Sequence, residues 1–159
     1  GDGGYMVIVQ VDDLDPFRGH FRETGTRVVF EAVTEGVTGL HLHPGDVGGA
    51  ILSVDQTDDW DAWPWAGPYW RDHIHTGVVQ RISAVEVQAE SPLAMAERWS
   101  EVLGRQNTDT SIALDDAEIR FVDATDGRGE GVSGLELVAA QSGNFEICGV
   151  RISLISNGG

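Results

Sequence analysis

Apolar and polar residues follow strand-like and helix-like spacing in turn along the chain. Residues 5–11 form a β-branched apolar run typical of a buried strand. Asp15 followed by Pro16 predicts a helix start, with Asp15 capping the free amides, and Gly25 is a natural helix end. Further apolar runs, which predict strands, occupy residues 26–33, 37–43 and 49–54. The expected order of this part is β-α-β-β-β.

The second half repeats this order. Residues 77–89 are strand-like, Ser91-Pro92 repeats the cap-and-proline helix start, and Gly104 closes that helix. The sequence therefore predicts an α+β fold of two βαβββ modules, forming curved mixed sheets with helices on the outer side. The predicted units are residues 1–55, a connector at 56–77, and residues 78–159, the last with an extra C-terminal strand.

The connector has an unusual composition. Four of the five tryptophans lie in it, and its prolines exclude a regular helix. Such aromatic side chains either pack between two halves of a protein and hold them together or line an apolar ligand pocket. Both interpretations stay open for Trp60, Trp63, Trp65, Tyr69 and Trp70.

The charge of the chain excludes some partners. It has 26 acidic and 10 basic residues, a formal net charge of −16, and every basic residue is arginine. A surface with this much negative charge repels nucleic acid and anionic membranes. We therefore expect neither as a partner. The single cysteine, Cys148, precludes an intrachain disulfide and is expected to be buried in its apolar run. We expect a cytoplasmic protein, and a first residue other than Met suggests a start inside a longer reading frame.

Residues 43–52, His43-Pro44-Gly45-Asp46-Val47-Gly48-Gly49-Ala50-Ile51-Leu52, carry a family resemblance. They resemble the vicinal-oxygen-chelate superfamily, and within it the glyoxalase and methylmalonyl-CoA epimerase branch. Residues 11–15 resemble the strand-to-helix junction of its modules, and residues 98–104 resemble the end of the module helix. With the repeated module, the resemblance covers most of the chain.

The resemblance implies a divalent metal on the concave face of a curved sheet, bound by His, Gln or Glu from the opening and closing strands. This chain has Met6 at the first such position and Ser53 at the second. The second module offers Ala84 or Val85, and Glu136 stands where a ligand carboxylate is expected. Because a thioether and a hydroxyl do not replace imidazole and carboxylate, the resemblance implies that the standard metal site is lost and no cofactor is expected.

Three functions remain open. The first is a small-molecule-binding protein that holds an apolar or aromatic ligand on the concave sheet. The second is a metal-dependent lyase, isomerase or dioxygenase using a divalent metal, with His41, His43 and Glu136, or residues of a partner chain, as candidate ligands. The third is a structural relative whose cleft has filled in. A homodimer is expected, because open sheets tend to pair. Candidate ligand-binding residues are Met6, Ser53, Trp63, Trp65, Tyr69, Trp70 and Glu136.

Overall fold

The computed structural model describes residues 3–156 and has two β-sheets. The elements of the first part are β1 (Met6–Gln10), α1 (Asp15–Thr24), β2 (Val28–Thr34), β3 (Val37–Leu42), α2 (Pro44–Val47) and β4 (Ile51–Thr57). Those of the second part are β5 (Val79–Ala89), α3 (Pro92–Leu103), β6 (Asn107–Thr108), β7 (Ser111–Ala113), β8 (Glu118–Asp123), β9 (Gly131–Ala139), β10 (Gly143–Ile147) and β11 (Val150–Ser156). The connector contains two short 3₁₀ turns, Pro64–Ala66 and Trp70–His73.

The first sheet has four strands in the order β1-β4-β3-β2. Its opening and closing strands, β1 and β4, run parallel, whereas β3 is antiparallel to both neighbours. A parallel pair needs a long crossover, which α1, β2 and β3 provide. The mixed α+β class predicted from the sequence is confirmed.

The second sheet has seven strands in the order β10-β11-β9-β5-β8-β7-β6. Within it, β5-β8-β7-β6 repeats the pairing of the first sheet, with β5 parallel to β8. The repeated βαβββ pattern therefore ends at β8. β9 pairs antiparallel with β5, and β11 pairs parallel with β9 and antiparallel with β10. Only residues 140–142 separate β9 from β10, so no helix covers this last unit.

The helix ends follow local chemistry, except that neither predicted cap forms. Ser91 precedes α3, but its side chain makes no capping hydrogen bond. α1 begins at Asp15, but the side chain of that residue does not cap it; Asp13 Oδ1 instead accepts a hydrogen bond from the Asp15 amide at 2.9 Å. Gly25 and Gly104 end α1 and α3 in the left-handed conformation, with φ of 68° and 62°, as predicted.

One apolar core combines residues of both sheets with residues of both long helices. α1 packs against α3, and Trp99 of α3 is completely buried, with its ring 5.5 Å from that of Phe121 on β8. The Trp99 indole also donates to the Gly48 carbonyl at 3.2 Å, which ties α3 to the first module. Each sheet thus has a face packed on helices and an opposite face, called here the first and the second open face.

Two further features concern the surface. Cys148 is exposed, not buried, because it lies in the turn between β10 and β11 with a φ of 49°. In residues 3–156, no helix has the length and hydropathy needed to cross a bilayer.

Candidate functional site

The first open face is fixed by strand register. Ile8 and His41 both pair with Ser53, from opposite sides of β4. Gln10 and Gly39 flank Asp55 in the same way. Since side chains alternate along a strand, these residues share one face while Leu52 and Val54 point into the core.

The base of this face is polar and buried. Ser53 is 0% and Asp55 3% exposed, and the Ser53 hydroxyl donates to Asp55 Oδ1. The Trp65 indole donates to Asp55 Oδ2 at 2.6 Å. Gln10 donates through Nε2 to the Thr57 hydroxyl at 2.7 Å and to the Trp60 carbonyl at 2.9 Å. The connector therefore folds back onto the first open face.

The rest of the first open face is apolar and accessible. Met6, Ile8 and Ile51 are half-buried, and Phe30 on β2 is 58% exposed. The Phe30 ring meets the His41 imidazole edge to face at 5.3 Å between centroids. This combination of an apolar surface with a few placed polar groups is typical of small-molecule sites.

The second open face is charged. Arg120 on β8 donates from Nε to Glu118 at 2.6 Å and from both terminal nitrogens to Glu136 at 3.0 and 3.3 Å. Glu136 also accepts from the Ser83 hydroxyl at 3.0 Å. Hydrogen bonds from Arg120 lower the pKa of both carboxyls, and the same bonds, Glu136 first, raise the pKa of Arg120.

A second ion pair lies beside the first. Arg151 on β11 donates to Glu86 on β5 at 2.9 Å and to the Ser133 hydroxyl at 3.2 Å. Each of the two arginines reaches across one intervening strand, Arg120 across β5 and Arg151 across β9. These ion pairs border an open cleft of about 540 Å³, whose lining includes Glu86, Glu136, Asn144, Glu146, Arg151 and Ser153.

The predicted ligand-binding residues fall in different places. Met6, Ser53 and Trp65 come together on the first open face, whereas Glu136 lies on the second. Trp70 lines a separate cleft of about 560 Å³ between the connector and the β2–β3 turn, where Arg71 stacks on its ring at 4.3 Å. Trp63 and Tyr69 are 45% and 73% exposed.

The three candidate metal ligands, His41, His43 and Glu136, each have another contact. His43 Nδ1 accepts from the Gly45 amide at 3.0 Å and caps α2, His41 packs on Phe30, and Glu136 is bound to Arg120 on the other sheet. Nowhere in the described part of the chain do three or more His, Cys, Asp or Glu side chains form a group suited to a metal ion. The residues present on either open face therefore do not fit the metal that the family resemblance implies.

Met6 and Ser53, the two positions that the resemblance assigns to metal ligands in the first module, are not register partners: Met6 pairs with Ile51 and Ser53 with Ile8. In the second sheet Glu86 pairs with Arg120. Glu136 lies one strand further along, on β9. The roles of Asp55, Arg120 and Arg151 were not anticipated from the sequence. The alternating charges of Glu118 and Arg120 were the available signal for one polar face on β8.

Comparisons with known proteins support the fold. The chain is similar to a hypothetical protein from Staphylococcus aureus, with a TM-score of 0.67 and 14% identity, covering 94% of this chain and 64% of that one. It is also similar to a glyoxalase I variant from Zea mays, with a TM-score of 0.52 and 10% identity, covering 98% of this chain and 69% of that one. The chain thus spans about two thirds of each relative. No protein-family model and no curated protein matches the sequence.

Proposed function

We propose that this chain is a small-molecule-binding protein with a glyoxalase-like fold that holds an apolar or aromatic ligand without a metal ion. The observation that carries the proposal is the first open face, where Met6, Ile8 and Ile51 border the buried pair of Ser53 and Asp55. Half-buried aliphatic side chains supply contact area, and the buried polar pair supplies orientation. The similarity to glyoxalase I concerns the fold alone.

The experiment is a screen of neutral aromatic compounds read by tryptophan fluorescence, since Trp65 lies against this face. We expect one compound to bind with saturable quenching. Ile8→Asp, which puts a charge on the face, should weaken binding by about tenfold or more. Val33→Asp is the matched control, because Val33 is 70% exposed on β2 and its neighbour Glu31 pairs with Arg18 of α1 on the opposite face of the sheet. Circular dichroism confirms that both variants fold.

A metal-dependent lyase, isomerase or dioxygenase is the competing function, and metal binding separates the two. Elemental analysis and thermal unfolding with Mn²⁺, Ni²⁺, Co²⁺ and Zn²⁺ provide the test. One metal per chain, with stabilisation of about 2.7 kcal/mol at a hundredfold excess over the Kd, would overturn the metal-free proposal. Saturable binding of an aromatic compound in the presence of a chelator would support it.

A further inference from the structure

Three residues of the first open face are buried although this is not the face packed on α1 and α3. Val37 and Asp55 are 3% exposed and Ser53 is 0% exposed, and Val37 does not belong to the apolar cluster formed with those helices. The connector reaches the same face. The Trp65 indole reaches Asp55, and a Cβ on Gly36, next to Val37, would lie 3.7 Å from the Pro64 ring.

The sheet fixes the Asp55 carboxylate and bonds one of its oxygens, whereas the connector supplies a hydrogen-bond donor to the other. A Cβ on Gly39 would lie 2.7 Å from Asp55 Oδ1, so the absence of a side chain there gives the carboxylate its place over β3. Ser53 donates to Oδ1 from the same strand. The recorded donor to Oδ2 is the Trp65 indole, which comes from a different segment. The strands therefore present one carboxylate oxygen to whatever lies on the face.

The segment that carries Trp65 is not embedded in a core. None of residues 58–78 is buried. Besides the Trp65 bond, this segment is held near the face by the Gln10 bond to the Trp60 carbonyl and by the Asp58 amide, which donates to the Gly36 carbonyl at 3.0 Å. A short chain of polar contacts thus holds an aromatic ring on an otherwise accessible surface.

We propose that the Trp65 ring occupies the ligand site of the first open face. The ligand that displaces this ring is a planar aromatic molecule with an N–H or O–H donor. This inference rests on the proposed function, because it names the ligand class for the same face. A buried carboxylate oxygen that loses its donor costs free energy, so a molecule replacing Trp65 must supply a donor. Its ring must also fill the space beside Asp55 that the Trp65 ring leaves. An indole side chain meets both requirements, and free molecules of the same shape and polarity meet them too.

The test removes the Trp65 ring by mutation and adds the same ring system as a free molecule. Trp65→Ala removes the ring, and indole is the probe. We expect indole to bind this variant at least about tenfold more tightly than the wild type, where the tethered ring competes at an effective concentration of roughly millimolar or more. We expect 1-methylindole, which lacks the N–H, to bind the variant about tenfold or more weakly than indole does. Isothermal titration calorimetry measures all three dissociation constants.

Two controls isolate the contact. Phe145→Ala removes an aromatic side chain that is exposed on β10 of the second sheet, and it should leave the weak indole binding of the wild type unchanged. Adding Asp55→Leu to Trp65→Ala should abolish the preference for indole over 1-methylindole. If Trp65→Ala does not fold by circular dichroism, Trp65→Phe replaces it, since it keeps a ring and loses only the donor. Indole should bind that variant more tightly than the wild type.

The outcomes are distinct. Equal indole affinity for the wild type and a folded Trp65 variant, no binding to that variant, or equal affinity for indole and 1-methylindole each overturns the inference. If one of these is found while another aromatic compound still binds the wild type in an Ile8-dependent manner, the proposed function stands and only the ligand class is wrong. If nothing binds either protein, both fail.

Discussion

The carboxylate of Glu86 lies over Gly134 of the neighbouring strand, in the space that a side chain there would fill. This position lets Glu86 reach Arg151, one strand beyond. The first sheet has the same arrangement, with Asp55 over Gly39. In both sheets a glycine leaves space on the open face for the carboxylate of the neighbouring strand. The position of each carboxylate therefore depends on the glycine beside it.

Gly134→Ala should therefore displace Glu86 and break its ion pair with Arg151. The introduced Cβ would collide with the Glu86 carboxylate, and both the displaced carboxylate and Ser133 would lose the arginine. We expect the free energy of unfolding to fall by about 1–3 kcal/mol, measured by urea titration. Gly143→Ala is the matched control, because its Cβ would lie 3.9 Å from Leu154. Equal stability of the two variants would contradict this account.

The ion pair of Glu136 with Arg120 should contribute to the pH dependence of stability. The Arg120 hydrogen bonds hold the pKa of Glu136 below its ordinary value of 4.5. A lowered folded-state pKa stabilises the protein above the unfolded-state pKa, and this contribution is lost as the pH falls through the folded-state pKa. Glu136→Gln should therefore be less stable than wild type at neutral pH, and the difference should shrink as the pH falls below the ordinary value of 4.5 and through the lowered folded-state pKa.

Urea unfolding at several pH values measures this effect. Glu97→Gln serves as the control, since Glu97 is exposed on α3 and has no ion pair recorded within residues 3–156. A difference between wild type and Glu136→Gln that stayed constant with pH would show that Glu136 contributes through its shape and not its charge.

Trp99 should be the most costly aromatic residue to replace. It is fully buried, contacts Phe121 and donates to the Gly48 carbonyl. Trp99→Ala should lower the free energy of unfolding by about 3–5 kcal/mol, because it leaves a large cavity. Trp99→Phe should cost less, since it keeps an aromatic ring and loses mainly the hydrogen bond. A loss no greater than that of Trp63→Ala, at an exposed position, would be incompatible with this role.

Gly19→Ala should stabilise the protein. Gly19 lies inside α1, and a Cβ there would meet nothing within 4 Å. Alanine is favoured over glycine in a helix interior by about 1 kcal/mol. The thermal midpoint should rise accordingly. The comparison variant is Gly25→Ala at the end of the same helix, where a φ of 68° strains any side chain and a lower midpoint is expected. A fall in the midpoint for Gly19→Ala would contradict the open space seen there.

The sequence predicts best what is decided locally. Strands follow from β-branched apolar runs, and the ends of α1 and α3 follow from Gly25 and Gly104, because a left-handed terminus favours glycine over other residues. The alternation on β4 likewise places Ser53 on the face opposite Leu52. Composition identifies the connector because its prolines exclude a regular helix whatever surrounds them.

Features that depend on pairing partners are not visible in the sequence. Arg120 and Glu136 are 16 residues apart, and they meet only because β5 lies between their strands. Similarly, Trp65 reaches Asp55 because the connector turns back, and no spacing rule describes that turn. The exposure of Cys148 was missed for a different reason, since an apolar hairpin can expose the residue at its tip.

The central position of β5 has a consequence for how the second sheet comes apart. β5 pairs with β8 on one side and with β9 on the other, so it is the seam between a helix-covered half and a half without a helix. Amide protons along this seam should exchange last, whereas those of the edge strand β10 should exchange through local fraying. We therefore expect the sheet to open from its uncovered edge, so that β10 loses its pairing before β5 does.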